Sequence, residues 1–487
     1  MRLIFFTREG WRDWDVEARP LIPEGMPVLV DDDLLFADEF VDRPTVAMNR
    51  WLCELPTTGA RVPATWAKYG RALRDWAVFL AEHQVPLFGS REQLKAALGL
   101  YAAFRAAGPV ERRFDATTWG QHVSILAGFY RWAVVQELAL AEPFSYRTAR
   151  ASFGGVSRDM RVNLAVRRMP KPHVTIKYLE EDFARLLLSA LAGRRPDGSP
   201  DPGCRGRHLG RDRAGGHLAL ATGLRAQEFT YLLLPEIPPL PARRSSVPIP
   251  FPVPAGVTKG NKPRTTWISY EALAEVHQYA RLERAACADG ARWTPKGRAS
   301  GLVVEEMDPL GGRVNGRRVR WAALRPAERC RLVAPAGGSM LWAVRGDGGP
   351  FTAWPTVLAR ASRRIADRFD PRFPHVHPHR LRHTFAIATM ERLIAGHYVR
   401  AAQIMAGAGV DPALLLYLAQ ADPLMVLRDL LGHSSTVTTE KYLRRLDTER
   451  IFRELTEHTL DAGQDAAAEL EVDEEFADVE EAGVHAR

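Results

Sequence analysis

The sequence has little of what marks secreted or membrane proteins. Its four cysteines, Cys53, Cys204, Cys287 and Cys330, are far apart and show no paired metal-binding spacing, so a reducing compartment fits them better than a disulfide framework does. No apolar stretch reaches the roughly 18 residues that span a membrane. The apolar run near the N-terminus ends after four residues, which is too short for a signal peptide. We therefore expect a cytoplasmic protein without a membrane partner.

Lysine is also scarce, since only 8 lysines accompany 58 arginines. An arginine guanidinium grips two phosphate oxygens at once and keeps its charge. Because the bias runs through the whole chain, it is more typical of a genome than of a function. A lysine becomes informative where a proton has to be donated.

The chain has 487 residues, a length that predicts two or three domains. Charge is distributed unevenly along it. Residues 1–42 carry a net charge of −7 and residues 461–487 carry −9, whereas residues 43–460 carry +24. A basic body between acidic ends favours a polyanionic partner, most simply nucleic acid. The alternative is a soluble, arginine-rich protein without such a partner.

Composition and periodicity divide the chain into successive segments. These are an acidic N-terminal segment of unknown role (1–42), a helical domain (43–147), a linker (148–174), a larger domain (175–460) with an insertion of unknown structure at about 283–360, and an acidic tail (461–487). The tail is rich in alanine and has few large apolar residues, so we expect it to be disordered.

The segment 43–147 has the apolar spacing of helices, with steps of three and four residues from Trp66 to Leu80 and a second strong helix near Thr118 to Leu138. These stripes predict a helical core. Basic residues lie between the apolar positions, and four of them are expected to face a DNA backbone: Lys68, Arg71, Arg74 and Arg131.

The larger domain is predicted to mix helices with a β-hairpin. A helix with acidic residues in its first turn begins near Leu179, and a loop over Gly193–Gly216 is followed by an apolar helix over His217–Leu234. Prolines, β-branched residues and a Lys-Gly-Asn-Lys turn predict a hairpin over Ser246–Ser269. The remainder, Arg380–Leu460, is predicted to be mainly helical.

The C-terminal region contains two histidines, an arginine and a tyrosine, which are residue types suited to phosphate chemistry. Cleavage of a phosphodiester without a metal needs a nucleophile, cations that offset the charge on phosphorus, an acid for the leaving oxygen and a group that manages the nucleophile's proton. Tyr442 is the candidate nucleophile, and its ordinary pKa of about 10 requires a cationic site or a base. His379 and Arg382 follow Pro378 at a predicted helix start, and His433 follows Gly432.

Two upstream segments supply the remaining residue types. Arg225 and Glu228 are three residues apart, so Glu228 is able to orient Arg225. Lys259 and Lys262 flank a turn, from which a lysine is able to reach a leaving oxygen. Taken singly, each segment also fits an ordinary surface or packing role.

A metal site is the alternative for the histidines, because His379 and His383 have the i,i+4 spacing of some zinc ligands. No glutamate follows His379 in the zinc-protease pattern and no cysteine is near. We therefore expect a supporting structural role for His383, no metal and no cofactor.

Together, the segments Gly-Leu-Arg-x-x-Glu, Lys-Gly-Asn-Lys, His-x-Leu-Arg-His and Leu-Gly-His-Ser-Ser with its downstream tyrosine resemble the tyrosine recombinase family. The resemblance lies at the level of motifs over about 175–460 and is looser over 45–145. It implies a mainly α fold with a small β-sheet (α+β), in which a helical SAM-like core-binding domain and a mixed α/β catalytic domain form a C-shaped clamp on DNA.

The resemblance also implies roles for the site residues. Arg225 and Arg382 would clamp the scissile phosphate, and Lys259 would be the general acid. His379 and His433 would hydrogen-bond the phosphate and assist proton movement. Tyr442 would form a 3′-phosphotyrosyl link, with Glu228, His383 and Gly432 in support and Lys262 contacting DNA.

The expected partners are double-stranded DNA with two recombination sites, further copies of the chain in a tetramer, and an accessory DNA-bending or directionality protein. The protein would then be nucleoid-associated. An integrase or transposon recombinase of a mobile element is the first hypothesis. A Xer-like resolvase of DNA multimers, a type IB topoisomerase and a catalytically silent DNA-binding protein on the same scaffold are the alternatives.

Overall fold

The computed structural model describes most of the chain in two compact units, Met1–His173 and Val174–Arg487. The described residues are 1–8, 21–33, 43–58, 60, 63–153, 156–167, 177–245, 247–291, 293–295, 301–405, 422–434, 436–440 and 442. The acidic tail 461–487 lies outside them, so its disorder stays a prediction. Both units combine helices with small sheets, which confirms the α+β class.

Among the described residues, four helices form the body of the first unit, which confirms the predicted helical region. They are α1 (Pro44–Glu54), α2 (Pro63–Glu82), α3 (Arg91–Arg105) and α4 (Ala116–Val135). Ser90 caps α3 with a capping box, and Asp115 caps α4 by accepting from the amide of Thr118 at 2.8 Å. In the core, the indole of Trp76 donates to the hydroxyl of Tyr130 at 3.0 Å, so a buried polar group is satisfied where α2 meets α4.

The acidic segment 1–42 contains two strands that belong to this helical unit. Strand β1 (Arg2–Phe5) pairs antiparallel with β2 (Pro27–Val30). Leu29 is buried, and its amide and carbonyl both bond the side chain of Asn49 on α1 at 2.8 Å. These parts of the segment therefore complete the core of the first unit.

The segment expected to be a linker, 148–174, lies partly in an antiparallel hairpin. Strand β3 (Tyr146–Phe153) pairs with β4 (Val156–Asn163) through eight residue pairs. Arginines throughout the segment and prolines near its end favour a linker in the sequence.

Up to residue 288, the described part of the second unit has three helices, then a pair of short strands, then two further helices. In order they are α5 (Glu181–Leu191), α6 (Leu209–Thr222), α7 (Ala226–Thr230), β5 (Ile249–Val253), β6 (Arg264–Ile268), α8 (Tyr270–Arg281) and α9 (Glu283–Ala288). Strands β5 and β6 pair antiparallel, which confirms the predicted hairpin.

The segment 283–360, expected to be an insertion of unknown structure, forms a small sheet and contributes to the core. Its strands are β7 (Leu302–Met307), β8 (Gly311–Val314), β9 (Arg317–Arg320) and β10 (Leu332–Val333), in the order β10-β7-β8-β9, with α10 (Pro326–Arg329) before β10. The indole of Trp342 donates to the carbonyl of Phe229 at 2.5 Å and stacks on Trp354 with 5.5 Å between ring centroids. The segment is therefore built into the unit that carries the site.

The unit continues with the helices of the C-terminal region. They are α11 (Trp354–Arg368), α12 (Pro378–Met405), α13 (Pro423–Leu431) and α14 (Val437–Glu440). The start of α12 at Pro378 confirms the predicted helix start. Among the described residues, no helix combines the length and apolar character needed to cross a membrane.

The predicted helix His217–Leu234 is wrong, because helix α6 runs earlier and ends at Thr222. The end is set by Gly223, which has a left-handed backbone with φ of +60° and whose amide bonds the carbonyl of Ala219. The predicted loop Gly193–Gly216 is correspondingly shortened, since α6 already begins at Leu209. The break brings the next residues, Leu224 and Arg225, out of the helix.

Replacement of Gly223 by alanine tests this helix ending. A left-handed backbone costs a residue with a Cβ about 1–2 kcal/mol. The added Cβ would also lie 2.2 Å from a ring carbon of buried Phe385. With the cost of overpacking included, we expect Gly223→Ala to lower the free energy of unfolding in urea by about 3 kcal/mol.

Gly260→Ala is the matched control, since Gly260 has a φ of +81° but open space around an added Cβ. It should lower the free energy of unfolding by only about 1–2 kcal/mol. Equal losses of stability for the two variants would contradict the role assigned to the packing against Phe385.

Candidate active site

Arg225 and Glu228 are in direct contact where α6 breaks. Arg225 is the N-terminal capping residue of α7. The carboxylate of Glu228 is fully buried and accepts from the Arg225 amide at 2.7 Å and from its Nη1 at 3.0 Å. The predicted contact at a spacing of three residues is therefore present, at a helix start and not within a long helix.

A second arginine, Arg264, holds the same carboxylate from strand β6. Its Nη1 and Nη2 donate to the two oxygens of Glu228 at 2.8 and 2.6 Å. Burial alone would raise the pKa of Glu228, but the hydrogen bonds and charge of Arg264, followed by those of Arg225, outweigh it and hold that pKa below its ordinary value. Glu228 is therefore an anion shared by two arginines.

Sequence reasoning missed Arg264, although a signal was present. Arg264, Thr266 and Ile268 alternate along β6, and Thr266 and Ile268 are fully buried. Side chains at alternate positions of a strand share one face, so an arginine in phase with two core residues requires a buried partner.

Arg382 lies on the first turns of α12 with its side chain almost completely buried. Its Nη1 donates to the carbonyl of Gly223 at 2.6 Å, and its Nη2 donates to the carbonyl of Leu431 and lies 3.4 Å from Nε2 of His433. Burial, followed by the positive charge of Arg225, lowers the pKa of Arg382 to about 9. The guanidinium is thus held between the C-terminal ends of α6 and α13, where carbonyl dipoles favour a cation.

The C-terminal end of α13 is the common point of all three arginines. Three successive carbonyl oxygens each accept from a different one: Leu430 from Arg264 at 3.0 Å, Leu431 from Arg382, and Gly432 from Arg225 at 3.2 Å. The end of one helix therefore sets the positions of three guanidinium groups. Only Arg225 and Arg264 pair with Glu228, so this cluster carries excess positive charge.

Gly432 and His433 follow directly from the same helix end. Gly432 has a φ of +63°, and an added Cβ would lie 2.7 Å from Cδ of Arg264, so glycine fits both the backbone and the close approach. His433 places Nδ1 at 2.9 Å from the hydroxyl of Thr439 on α14. Thr439, fully buried, was not singled out from the sequence, because a threonine at a helix start ordinarily reads as a cap.

Tyr442 is buried beside these groups, with 1% of its surface exposed. Its hydroxyl lies 2.9 Å from Nδ1 of His383, and its ring lies parallel to that of His433 with 6.4 Å between centroids. Burial raises the pKa of Tyr442 to about 12, against the charges of Arg382 and Arg225, which lower it. The phenol is therefore protonated at neutral pH.

His379 and Lys259 are less closely tied to the cluster. His379 is exposed, and its ring contacts that of His383 with 4.3 Å between centroids. Lys259 and Lys262 are exposed on the loop that joins β5 to β6. Among the described residues, no hydrogen bond or ion pair joins the side chain of Lys259 to the other site residues.

The predicted DNA-contacting residues of the first unit are all exposed, but their charges are not equally available. Lys68, Arg71 and Arg74 lie on α2, where Nε of Arg74 donates to the carbonyl of Met1 at 3.2 Å. Arg131 on α4 forms an ion pair with Glu142 at 3.7 Å, so part of its charge is already offset.

Within the described part of the chain, no group of three or more histidine, cysteine, aspartate or glutamate side chains is placed to hold a metal ion. Arg225 and Arg382 are fixed cations, Tyr442 and His433 lie beside Arg382, and the buried setting strengthens electrostatic interactions. Such a site suits an anion that gains negative charge during a reaction.

No protein-family model matches the chain, and no curated protein matches it either. Solved structures that resemble it include XerA recombinase, with 17% identity over 85% of this chain and 98% of that chain and a TM-score of 0.31. The XerH site-specific recombinase bound to palindromic difH substrate has 14% identity over 84% of this chain and 86% of that chain, with a TM-score of 0.44. The Tn1549 transposon integrase in complex with transposon right end DNA has 13% identity over 85% of this chain and 98% of that chain, with a TM-score of 0.43. At these values, the functional proposal rests on the side-chain geometry and not on the likeness.

Replacement of Glu228 by glutamine tests the shared carboxylate. Removal of one charge from a buried ion pair costs about 3–5 kcal/mol, so we expect Glu228→Gln to lower the free energy of unfolding at pH 7 by about that amount. Since the pKa of Glu228 is depressed in the folded protein, its ionisation stabilises the fold above the unfolded pKa of about 4.3. That contribution is lost as the pH falls through the depressed folded pKa, so the two proteins should converge in acid.

Glu271→Gln is the matched control, because Glu271 pairs with Arg244 on the surface, where both side chains are more than half exposed. Its effect should stay within about 1 kcal/mol in urea denaturation at either pH. A loss of similar size for Glu228→Gln would show that the shared carboxylate does not stabilise the site.

Proposed function

We propose that this protein is a site-specific tyrosine recombinase that cuts and rejoins DNA through a 3′-phosphotyrosyl intermediate. The observation that carries the proposal is the arginine cluster at the end of α13, with Tyr442 buried beside Arg382. Guanidinium groups offset the charge on a phosphate group while it is transferred, and Tyr442 supplies a hydroxyl oxygen able to attack phosphorus.

The proposed cleavage uses each group once. The hydroxyl oxygen of Tyr442 attacks phosphorus, and the bond from phosphorus to the 5′ oxygen breaks. Arg225 and Arg382 offset the charge on the pentacoordinate phosphorus, with His379 and His433 as further hydrogen-bond partners. Lys259 gives its proton to the leaving 5′ oxygen. Reversal of these steps with another 5′ hydroxyl rejoins the strand without ATP.

The proposed substrate is double-stranded DNA at two sites, held by a tetramer in the nucleoid with an accessory DNA-bending or directionality protein. The net charge of +24 over 43–460 supports a DNA partner. We favour an integrase or transposon recombinase over a Xer-like resolvase, because residues 302–333 form an additional sheet that carries none of the site residues. The complete set of site residues argues against a catalytically silent DNA-binding protein.

Covalent trapping tests the nucleophile. The protein is mixed with a pool of duplexes of randomised sequence, each nicked at one position so that a short strand diffuses away after cleavage. We expect adducts that survive SDS with the wild-type protein and none with Tyr442→Phe, because the phenylalanine keeps the ring and lacks the attacking oxygen. DNA binding by the variant, measured by gel shift, should be unchanged. Equal trapping by both proteins would refute the role of Tyr442.

A sulfur-containing substrate tests Lys259 against Lys262. On a DNA sequence recovered by trapping and carrying the ordinary 5′ bridging oxygen, Lys259→Ala should slow cleavage by about 10²–10⁴-fold, the usual contribution of a general acid. When sulfur replaces the 5′ bridging oxygen, the leaving thiolate needs no proton at neutral pH, because thiols ionise near pH 8.5. Lys259→Ala should then approach the wild-type rate.

The matched control for this experiment is Lys262→Ala, three residues along the same exposed loop. It should stay within a few-fold of wild type on both substrates. If sulfur restored the cleavage rate of Lys262→Ala and Lys259→Ala showed no defect, Lys262 and not Lys259 would be the general acid.

Salt dependence tests the surface of α2. The logarithm of DNA affinity falls with the logarithm of salt concentration by about 0.9 for each phosphate that the protein neutralises. Joint replacement of Lys68, Arg71 and Arg74 by alanine should therefore weaken binding and reduce the slope by about 0.9 for each phosphate left without its cation. Fluorescence anisotropy of a labelled duplex at several salt concentrations gives the slope. Arg131→Ala should change it less, because Glu142 already pairs with Arg131; the reverse ranking would contradict this surface assignment.

A further inference from the structure

The hydrogen bond between Tyr442 and His383 identifies where the phenolic proton goes. Nδ1 of His383 lies 2.9 Å from the hydroxyl oxygen of Tyr442. His383 is half-buried on α12, one residue after Arg382, and Tyr442 is packed among Phe385, Ala386, Leu427 and other apolar side chains. In these surroundings the phenol stays protonated, so it has a proton to donate to a neighbouring acceptor.

His433, the other histidine beside the tyrosine, has its ring nitrogens directed elsewhere. Nε2 of His433 faces Nη2 of Arg382, and a guanidinium only donates hydrogen bonds. Nδ1 of His433 faces the hydroxyl of Thr439 at 2.9 Å. Both ring nitrogens of His433 therefore face groups other than the phenol.

His383, in contrast, directs a ring nitrogen at the phenol of Tyr442. Its Nδ1 faces a hydroxyl group that is able to donate, so a neutral His383 with hydrogen on Nε2 accepts from Tyr442. The edge of the His383 ring also meets the ring of exposed His379, with 4.3 Å between centroids and 64° between planes. A proton received by His383 would thus lie next to a side chain that reaches solvent.

We propose that His383 is the proton acceptor for Tyr442 in the cleavage step, an inference that rests on the proposed function. As the oxygen of Tyr442 bonds to phosphorus, its proton moves to Nδ1 of His383, which becomes an imidazolium ion. The leaving 5′ oxygen takes its proton from Lys259. During rejoining, the incoming 5′ hydroxyl attacks phosphorus and gives its proton to Lys259, which is neutral after cleavage. The bond from phosphorus to the oxygen of Tyr442 breaks, and His383 returns its proton to that oxygen.

The first arm of the test compares two replacements of His383 in single-turnover trapping with a sequence recovered from the nicked-duplex pool. Alanine removes the hydrogen bond, whereas asparagine offers a hydrogen-bond acceptor near the position of Nδ1 but takes up no proton. We expect both variants to lose about 10²–10⁴-fold in the cleavage rate while binding the same duplex as tightly as wild type. His377→Ala, a nearby histidine outside the site, should stay within about 2-fold of wild type.

The second arm separates proton transfer from positioning by changing the acidity of the nucleophile. Tyr442 is replaced by a trifluorotyrosine, whose hydroxyl is more acidic and depends less on a base. The ratio of wild-type to His383→Asn rates should shrink at least 10-fold with this tyrosine. An unchanged ratio, or a His383→Asn rate within about 3-fold of wild type, would overturn the proposal and leave His383 as a positioning residue.

Failure of the two proposals would look different. If the wild-type protein formed no covalent adduct, the proposed function itself would fall. If the wild-type protein formed the adduct and His383→Asn formed it as fast, only the role of His383 would fall.

Discussion

The site depends on one constraint, the end of helix α13. Three successive carbonyl oxygens, from Leu430 to Gly432, each receive a hydrogen bond from a different arginine. Carbonyl groups at a helix end lack partners within the helix and carry partial negative charge. The helix end therefore gathers cations that would otherwise repel one another, and the positive φ of Gly432 allows the chain to turn directly into His433.

The second half of this arrangement is the buried Glu228, which binds Arg225 and Arg264 together. Arg264 stabilises the arrangement from β6, Arg225 remains partly exposed, and Arg382 joins the ends of α6 and α13. A phosphate would meet cations whose positions are already fixed, so little reorganisation would accompany the build-up of charge. The same burial that fixes Arg382 keeps Tyr442 protonated, so a nucleophile in this site needs a proton acceptor.

Much of the site was predictable because each motif is local. Arg225 with Glu228, the hairpin beside Lys259, and the helix start before His379 and Arg382 all follow from residue spacings of a few positions. Thr439 was missed although its partner His433 is only six residues away, because a threonine at a helix start ordinarily reads as a cap. Arg264 was missed because its partners, Glu228 and Leu430, are distant in sequence. No local pattern names such partners.

The fold shows the same division. Helices α2 and α4 of the first unit were predicted from apolar spacing, and α1 and α3 only as part of a helical region. The strands within 1–42, the hairpin 146–163 and the sheet within 283–360 were not predicted. The strands within 1–42 and 283–360 are short, with two to six residues each. The strands of the hairpin 146–163 are longer, but their arginines mask the alternation that marks a strand. Helix α6 was misplaced because its glycines and arginines resemble a loop, although the helix is packed against α5 and α8.

The most direct measurement is mass spectrometry of the peptide that remains attached to DNA after trapping and digestion by protease and nuclease. We expect a nucleotide joined through its 3′ phosphate to the oxygen of Tyr442. Attachment to another residue, or through a 5′ phosphate, would contradict the proposed cleavage.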